Sequence, residues 1–245
     1  QQVVELAIKK TVREPINLVG ASRTDSGVHA KMQVAAFTTK LPIRIPLSRL
    51  PSAITARLQD DVVVWKTEKV SLNFDPIINC REKCYTYTIV HGIKLSKPRP
   101  LFGRQMIYRV AQDLDIEKMR IASRSMIGKH DFASFTKSNH GRKSTVRTIT
   151  SFEVVEINKK KLVLRISGDG FLWNMVRIIA GTLVEVGRGR FKPNDVKEII
   201  NSKDRSKSGP TLPSQGLCLE WILYDGLDAF DHIKLEKEFV KNCIY

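Results

Sequence analysis

Apolar residues recur along the first third of this chain at spacings that alternate between those of helices and strands. Within residues 2–12, Val4, Ile8 and Val12 are four apart, which places them on one face of a helix. Between residues 28 and 36 every second residue is apolar, as in a half-buried strand. Further elements predicted from the same patterns are strands at 16–19, 61–70 and 83–90 and a helix at 46–58.

The second half of the chain repeats this mixture after a segment that contains two prolines. In residues 91–102, HGIKLSKPRPLF, Pro98 and Pro100 each push the preceding residue out of helical geometry. We therefore expect a linker here and two domains, residues 1–97 and 98–245. Beyond the linker the pattern predicts helices at 115–127, 171–186 and 194–202 and strands at 146–157, 161–167 and 217–223.

The two halves have similar length and the same kinds of element. Each mixes about four strands with two helices, which predicts an α+β fold built from two tandem split βαβ units, with a cleft between their sheets. This repeat is inferred from the pattern of elements and not from sequence identity between the halves.

Basic residues outnumber acidic ones along the whole chain. The 41 Lys and Arg residues against 25 Asp and Glu give a formal charge of +16, and they are not gathered in one tail. Such a charge favours a polyanionic partner, above all a nucleic acid. A basic surface without a specific partner has the same composition, so charge alone leaves both interpretations open.

The remaining composition predicts a soluble intracellular protein. No apolar run approaches the roughly 18 residues needed to cross a bilayer. Cys80, Cys84, Cys218 and Cys243 form no CxxC pair, which indicates reduced thiols and no zinc site. Because the chain opens at Gln1 inside a predicted helix, we expect a preceding segment, and any targeting peptide would lie there. The expected location is the cytoplasm, or the mitochondrion if that segment is a transit peptide.

The loop VGASRTDSGVHA, residues 19–30, places polar side chains between two predicted strands. Asp25 follows Arg23, and Gly20 and Gly27 permit backbone conformations that other residues avoid. Three interpretations of Asp25 fit: a carboxylate that caps a turn, a surface ion pair with Arg23, or a catalytic group. One carboxylate without a second does not indicate the paired-acid chemistry of glycosidases.

Two tyrosines in the stretch REKCYTYTIV offer a second candidate feature. Tyr85 and Tyr87 are two residues apart on a predicted strand, so both side chains point to one face. If that face is the core, they are ordinary packing. If it lines a basic cleft, a base stacked on such a ring gains roughly 1–3 kcal/mol, and the phenol can move a proton.

The segment SGDGFLWNMVRIIAGTLVEVGRG, residues 167–189, contains a helix that is apolar on nearly every side and is therefore predicted to be buried. Arg177 lies in the middle of it, and a buried cation requires an anion. Asp25 is an attractive candidate for that anion. Gly168 and Gly170 form no GxGxxG fingerprint between a strand and a helix, so we expect no nicotinamide or flavin cofactor.

Taken together, five stretches of the chain resemble the tRNA pseudouridine synthase A (TruA) family. They are SRTDSGVHA, KCYTYTI, GKHDFASF, GFLWNMVRIIAGTLVEVGRG and PSQGLCLEWI, and they occur in order along nearly the whole chain. Several ordered motifs at compatible spacings are far more specific than any one of them.

The resemblance implies a role for each matching residue. Asp25 is the catalytic residue, Tyr85 stacks on the target uracil and is the proposed base, and Arg177 is the partner of Asp25. Arg23 helps to open the RNA and fills the space left by the extruded base. The residues expected to contact the RNA are Arg23, Thr24, Gly27, His29, Tyr87 and Asn174.

The resemblance also implies a fold, a substrate and a partner. The family fold consists of two ferredoxin-like halves whose sheets join into one central, mostly antiparallel sheet with a catalytic cleft. Members act as homodimers with one tRNA bound across both subunits. They isomerise uridines 38, 39 and 40 of the anticodon stem-loop without a metal or an organic cofactor.

Two departures from the family pattern accompany the match. Ser26 stands where the family has Ala, and the Gly-Trp-Gln pattern of the family's first strand is absent, so we expect either that the chain is a fragment or that its sheet starts short. The alternatives are a catalytically inactive tRNA-binding protein or RNA chaperone of the same fold and, more distantly, an α/β enzyme that acts on a small anionic substrate.

Overall fold

The computed structural model describes residues 1–93, 103–137 and 143–226. Pro98, Pro100 and the predicted boundary between residues 97 and 98 lie outside these ranges, so the two-domain boundary stays a prediction. The described residues form two compact units, and the bounds of these units differ from the predicted boundary. The first unit contains residues 1–23, 33–80 and 224–226, and the second contains 24–32, 81–93, 103–137 and 143–223.

Helices and strands are mixed along the described residues. The helices are α1 (Gln2–Val12), α2 (Leu50–Thr55), α3 (Ile116–Arg124), α4 (Met175–Gly187) and α5 (Asp195–Ser202). The strands are β1 (Val19–Gly20), β2 (His29–Ala30), β3 (Ala35–Ala36), β4 (Cys80–Val90), β5 (Tyr108–Arg109), β6 (Gly128–Asp131), β7 (Val146–Asn158), β8 (Lys161–Gly168) and β9 (Leu217–Tyr224). None of these helices is long and apolar enough to reach across a membrane.

The first unit is built on the apolar face of α1. This face packs against α2, because residues four apart along α1 carry the apolar side chains. The buried residues of the core cluster that forms here are Ala7, Ile8, Ile16, Leu18, Leu50 and Ile54. Beside them β1 pairs with β3 in antiparallel register, with Val19 opposite Ala36.

A central sheet forms the second unit. The described strands follow the order β2-β9-β4-β8-β7-β6, and β5 also pairs with β4. The long pairings β4 with β8 and β7 with β8 are antiparallel, as is β6 with β7, whereas β2 with β9 and β4 with β5 are parallel. This confirms the predicted α+β class with a central, mostly antiparallel sheet.

The long apolar helix α4 is buried as its sequence predicts. Every residue from Ile178 to Gly187 is buried. Close packing explains the glycine in its middle, since a Cβ on Gly181 would lie 1.9 Å from the carbonyl oxygen of Pro210. The segment 208–216 therefore lies directly on α4. It is tied there by Gly209, whose N–H donates to Thr182 Oγ1 at 2.9 Å.

Most of the long predicted elements are confirmed. The strands at 83–90, 146–157, 161–167 and 217–223 and the helices at 2–12, 115–127 and 194–202 appear within a few residues of their predicted ends. At α3 the beginning is set by Asp115, whose carboxylate accepts the N–H of Lys118 at 3.0 Å and caps the helix.

Other predicted elements are wrong or shorter. Residues 61–70 form no strand, and within this segment the N–H of Val64 donates to Thr55 Oγ1 at 3.0 Å. The single strand predicted at 28–36 divides into β2 and β3, the strand at 16–19 is reduced to β1, and the helix at 46–58 shortens to α2. The stretch GKHDFASF forms β6 and a 3-10 turn.

Candidate active site

Asp25 lies in a tight turn just before β2. Its carbonyl oxygen accepts the N–H of Val28 at 3.0 Å, and Gly27, the third residue of this turn, has a φ of 80°. A positive φ at this position is required by type II turns and favours glycine. A Cβ on Gly27 would also lie 2.7 Å from Ser214 Oγ. Gly27 therefore sets the shape of the Asp25 turn.

Strand β2 fixes this turn to the sheet. It runs parallel to β9, with His29 beside Cys218, and the N–H of Lys31 donates to the carbonyl of Leu219 at 2.8 Å. Lys31 Nζ also contacts the buried carboxylate of Glu220 at 2.8 Å. Both the backbone and the side chain of Lys31 thus bind the end of the polar loop to β9, which limits the positions available to Asp25.

The Asp25 carboxylate forms an ion pair with Arg177. Oδ2 accepts from Arg177 Nη1 at 2.7 Å; the arginine side chain is 17% exposed and the aspartate side chain 34%. Arg177 is itself held in place, because its Nε donates to the carbonyl of Leu212 and its Nη1 also donates to Asn174 Oδ1, both at 2.7 Å. The predicted pairing of Asp25 with Arg177 is confirmed.

We expected Arg177 in the middle of its helix, but it lies in the first turn of α4. Asn174 adopts a left-handed conformation with φ 60°, so α4 begins at Met175. Asparagine tolerates this conformation better than most residues. The turn at Asn174 thus directs the first turn of α4, and Arg177 with it, toward Asp25.

Trp173 completes the set of side chains that hold Asp25, and sequence reasoning missed it. Its indole Nε1 donates to Asp25 Oδ1 at 3.3 Å. In the sequence Trp173 stands among apolar residues, and nothing in that pattern distinguishes it from a core residue. Each carboxylate oxygen therefore accepts a different donor, Arg177 on Oδ2 and Trp173 on Oδ1.

The two tyrosines of β4 lie in buried surroundings. Tyr85 is 6% exposed, and its ring meets Phe171 edge-to-face with ring centroids 5.2 Å apart. Tyr87 is fully buried, and its hydroxyl donates to the carbonyl of Pro213 at 2.7 Å. Burial raises the pKa of Tyr87 above its ordinary value, which keeps that hydroxyl protonated. The Tyr87 ring belongs to the core of the structure, and its expected contact with RNA stays a prediction.

The other predicted contact residues differ in exposure. Arg23 and Thr24 are exposed. His29 is half-buried, and within the described part of the chain its Nδ1 has no hydrogen-bond partner. Asn174 is half-buried and bonded to Arg177, so it acts on the carboxylate through that arginine. The structure thus brings Asp25, Arg177 and Asn174 together.

This arrangement gives a carboxylate that is fixed in orientation and still open on one side. A group of this kind can attack an electrophilic carbon or accept a proton from a substrate that approaches its exposed side. Across the described ranges, no cluster of three or more His, Cys, Asp and Glu side chains is arranged to hold a metal ion.

Comparison with known proteins identifies relatives along most of the chain. Residues 122–225 match the family described as tRNA pseudouridine synthase. The tRNA pseudouridine synthase A 2 of Clostridium perfringens (strain 13 / Type A) is 42% identical over 224 residues, which cover 91% of this chain and 89% of the relative. The tRNA pseudouridine synthase A of Thermoanaerobacter sp. (strain X514) is also 42% identical, with the same coverage.

A further relative matches almost as well. The tRNA pseudouridine synthase A of Clostridium acetobutylicum is 39% identical over 224 residues, covering 91% of this chain and 89% of the relative. These matches include both the Asp25 turn and the helix that carries Arg177, which lie far apart in the sequence. The chain therefore belongs to the tRNA pseudouridine synthase A family and is an isomerase.

Proposed function

We propose that this protein converts uridine to pseudouridine in tRNA and that Asp25 is the catalytic residue. The observation that carries the proposal is the Asp25 carboxylate, which Arg177 and Trp173 hold by separate oxygens while it stays partly exposed. The names of the relatives support the reaction, since each is a tRNA pseudouridine synthase A.

The reaction exchanges one bond of uridine for another. The glycosidic bond from C1′ to N1 breaks, the uracil turns, and C1′ joins C5. The C5 proton is then removed and N1 gains a proton, so the product is an isomer of the substrate. Ionised Asp25 attacks C1′ or the uracil ring, or it removes a ribose proton; all three routes start from a fixed carboxylate.

The target uridine must first leave its stack. Extrusion costs a few kcal/mol, which protein contacts have to offset. In this proposal cationic side chains contact the phosphates, and Arg23 fills the space that the extruded base leaves. Tyr85 receives two roles, stacking on the uracil and removal of the C5 proton. Since Tyr85 is only 6% exposed and packs on Phe171, the ring or its neighbour has to move when the uracil binds.

The finer assignments of the proposal follow the family resemblance. The substrates are uridines 38, 39 and 40 of the anticodon stem-loop. The protein acts as a homodimer with one tRNA across both subunits, without a metal or an organic cofactor, in the cytoplasm. Its fold is two ferredoxin-like halves whose sheets join. Thr24, Gly27 and His29 complete the proposed RNA-binding set.

The decisive experiment measures pseudouridine in a tRNA transcript that carries uridine at all three positions. Product is located by mass spectrometry or chemical mapping after incubation with the purified protein. We expect Asp25→Ala and Asp25→Asn to lower the rate by at least about a thousandfold, because both substitutions remove the carboxylate that the proposed reaction requires. tRNA binding is expected to persist in both variants.

Asp61→Asn is the matched control, since it neutralises an exposed carboxylate of the first unit. It should leave the rate unchanged. An active Asp25→Ala variant would refute the role of Asp25. A wild-type protein that binds tRNA and forms no pseudouridine would instead identify an inactive binding protein of the same fold.

A further inference from the structure

Among the residues that the structure describes, Trp173 is the one contact of the Asp25 carboxylate that the family motifs did not lead us to expect. We propose that Trp173 is a positioning residue, whose indole N–H holds Oδ1 of Asp25 and so fixes the plane of the carboxylate for reaction. This inference rests on the proposed catalytic role of Asp25. It adds Trp173 to the proposed site and explains how the plane of the Asp25 carboxylate is fixed.

The need for a second donor follows from the chemistry of aspartate. The torsion that turns a carboxylate about its Cβ–Cγ bond has broad minima, so one hydrogen bond leaves that rotation weakly restrained. Arg177 holds Oδ2, at 2.7 Å. Trp173 holds the other oxygen, at 3.3 Å. Two donors on two oxygens define the carboxylate plane, and with it the direction in which a lone pair can attack.

Trp173 is well placed to act as a fixed donor although its side chain is 48% exposed. Its carbonyl accepts from the hydroxyl of Thr136 at 3.1 Å, and Thr136 is buried. The next residue, Asn174, has the left-handed φ of 60° that begins α4. Lys137 Nζ lies 5.2 Å from the ring centroid, a cation–π contact on one face.

The exposed part of the ring allows a competing explanation. An accessible indole near a catalytic carboxylate can also stack on a base of the RNA. The two roles need different parts of the side chain, because stacking uses the aromatic face whereas positioning uses only the N–H. A substitution that removes the N–H and keeps the face separates them.

The experiment replaces Trp173 with 3-benzothienylalanine, in which sulfur takes the place of the indole N–H in a ring system of nearly the same shape. Trp173→Phe is the genetically encoded counterpart. We expect kcat for pseudouridine formation to fall about tenfold in both variants, as fits the loss of one donor to a charged group. KM for tRNA should stay within about twofold of the wild type, because the aromatic face remains.

The same replacement at Trp65 is the control. Trp65 is 81% exposed and lies in the first unit. It should change neither kcat nor KM. Circular dichroism and a thermal melt establish that each variant is folded before its kinetics are compared.

A second readout does not depend on turnover. In the spectrum of protein labelled with 15N-tryptophan, Asp25→Asn should move the indole N–H resonance of Trp173 and leave that of Trp65 in place. A wild-type kcat in the benzothienyl variant would overturn the proposal. So would a raised KM with unchanged kcat in Trp173→Ala, which would assign the ring to stacking on RNA. If Asp25→Ala stays active, the role of Asp25 itself fails.

Discussion

The contacts of Asp25 orient its carboxylate more than they stabilise the fold. Arg177 lies 152 positions away in the sequence, and their pair is partly open, with the aspartate side chain 34% exposed. Ion pairs that water reaches contribute about 0–1 kcal/mol. A small stabilisation combined with a fixed geometry is expected where a residue serves a reaction. The free energy of unfolding should therefore fall by no more than about 1 kcal/mol in Asp25→Ala, because Arg177 keeps the Leu212 carbonyl and Asn174 Oδ1 as acceptors, whereas we expect activity to be lost.

Asn174 offers a test of orientation at the scale of one residue. Its Oδ1 accepts from Arg177 Nη1 at 2.7 Å, and its φ is 60°. Asn174→Gly removes the amide and permits the left-handed backbone, whereas Asn174→Ala removes the amide and adds strain of about 1 kcal/mol. We expect kcat to fall several-fold in both, and the denaturation midpoint to be lower in Asn174→Ala than in Asn174→Gly.

The same pair of variants also tests the earlier assignment of Asn174 to RNA binding. A direct contact with RNA predicts a raised KM for tRNA at unchanged kcat. Equal denaturation midpoints in the two variants would show that the left-handed backbone costs nothing at this position.

At the scale of elements, the sequence predicted those that carry a sustained pattern. Strands β4, β7, β8 and β9 and helix α3 were found in this way. The prediction failed at 61–70, because a strand needs a partner strand, and no local pattern shows that Thr55 bonds the backbone of Val64 instead. It also placed the beginning of α4 several residues early, since the left-handed turn at Asn174 leaves no mark on apolar periodicity.

Some contacts of the candidate site could likewise be predicted from the sequence, and others could not. The pairing of Asp25 with Arg177 could be predicted, because an arginine in an apolar helix requires an anion. The contact of Trp173 could not, because a tryptophan beside apolar residues is usually core packing. For Tyr87 the sequence left two interpretations open, packing in the core or lining a cleft, and its complete burial in the structure favours the first.

The close contact between α4 and segment 208–216 gives a prediction at this scale. A Cβ on Gly181 would lie 1.9 Å from the Pro210 carbonyl oxygen. Alanine is favoured over glycine in a helix by about 1 kcal/mol, but overpacking a tight core costs about 1–3 kcal/mol. Gly181→Ala should therefore lower the free energy of unfolding, and kcat with it, because the same segment carries the Leu212 carbonyl that holds Arg177.

Denaturant unfolding and a pseudouridine assay on the same preparation check both effects. Gly20→Ala is the control, since its Cβ would meet no atom within 4 Å and should not destabilise the protein. A Gly181→Ala variant as stable as the wild type would contradict the close contact.

At the scale of the whole molecule, charge is the property that concerns the substrate. The formal charge of +16 is spread along the chain. In the second unit, a depression of about 290 Å³ is lined by Arg124, His130 and Lys197 together with neutral residues, and none of its lining residues is acidic. A net positive charge of this size attracts a polyanion over a distance, and each phosphate contact releases counterions from the nucleic acid.

Binding of tRNA should consequently weaken steeply as salt rises. About six phosphate contacts lower the affinity about a thousandfold between roughly 50 and 200 mM salt. The affinity is best measured with Asp25→Asn, which should bind tRNA without forming product, and a thermal melt across the same salt range serves as the control for folding. An enzyme whose substrate is a small anion makes few such contacts, so a nearly flat dependence on salt would favour that alternative over tRNA. A slope that corresponds to several released ions, with an unchanged melting temperature, would support a tRNA substrate held mainly through its phosphates.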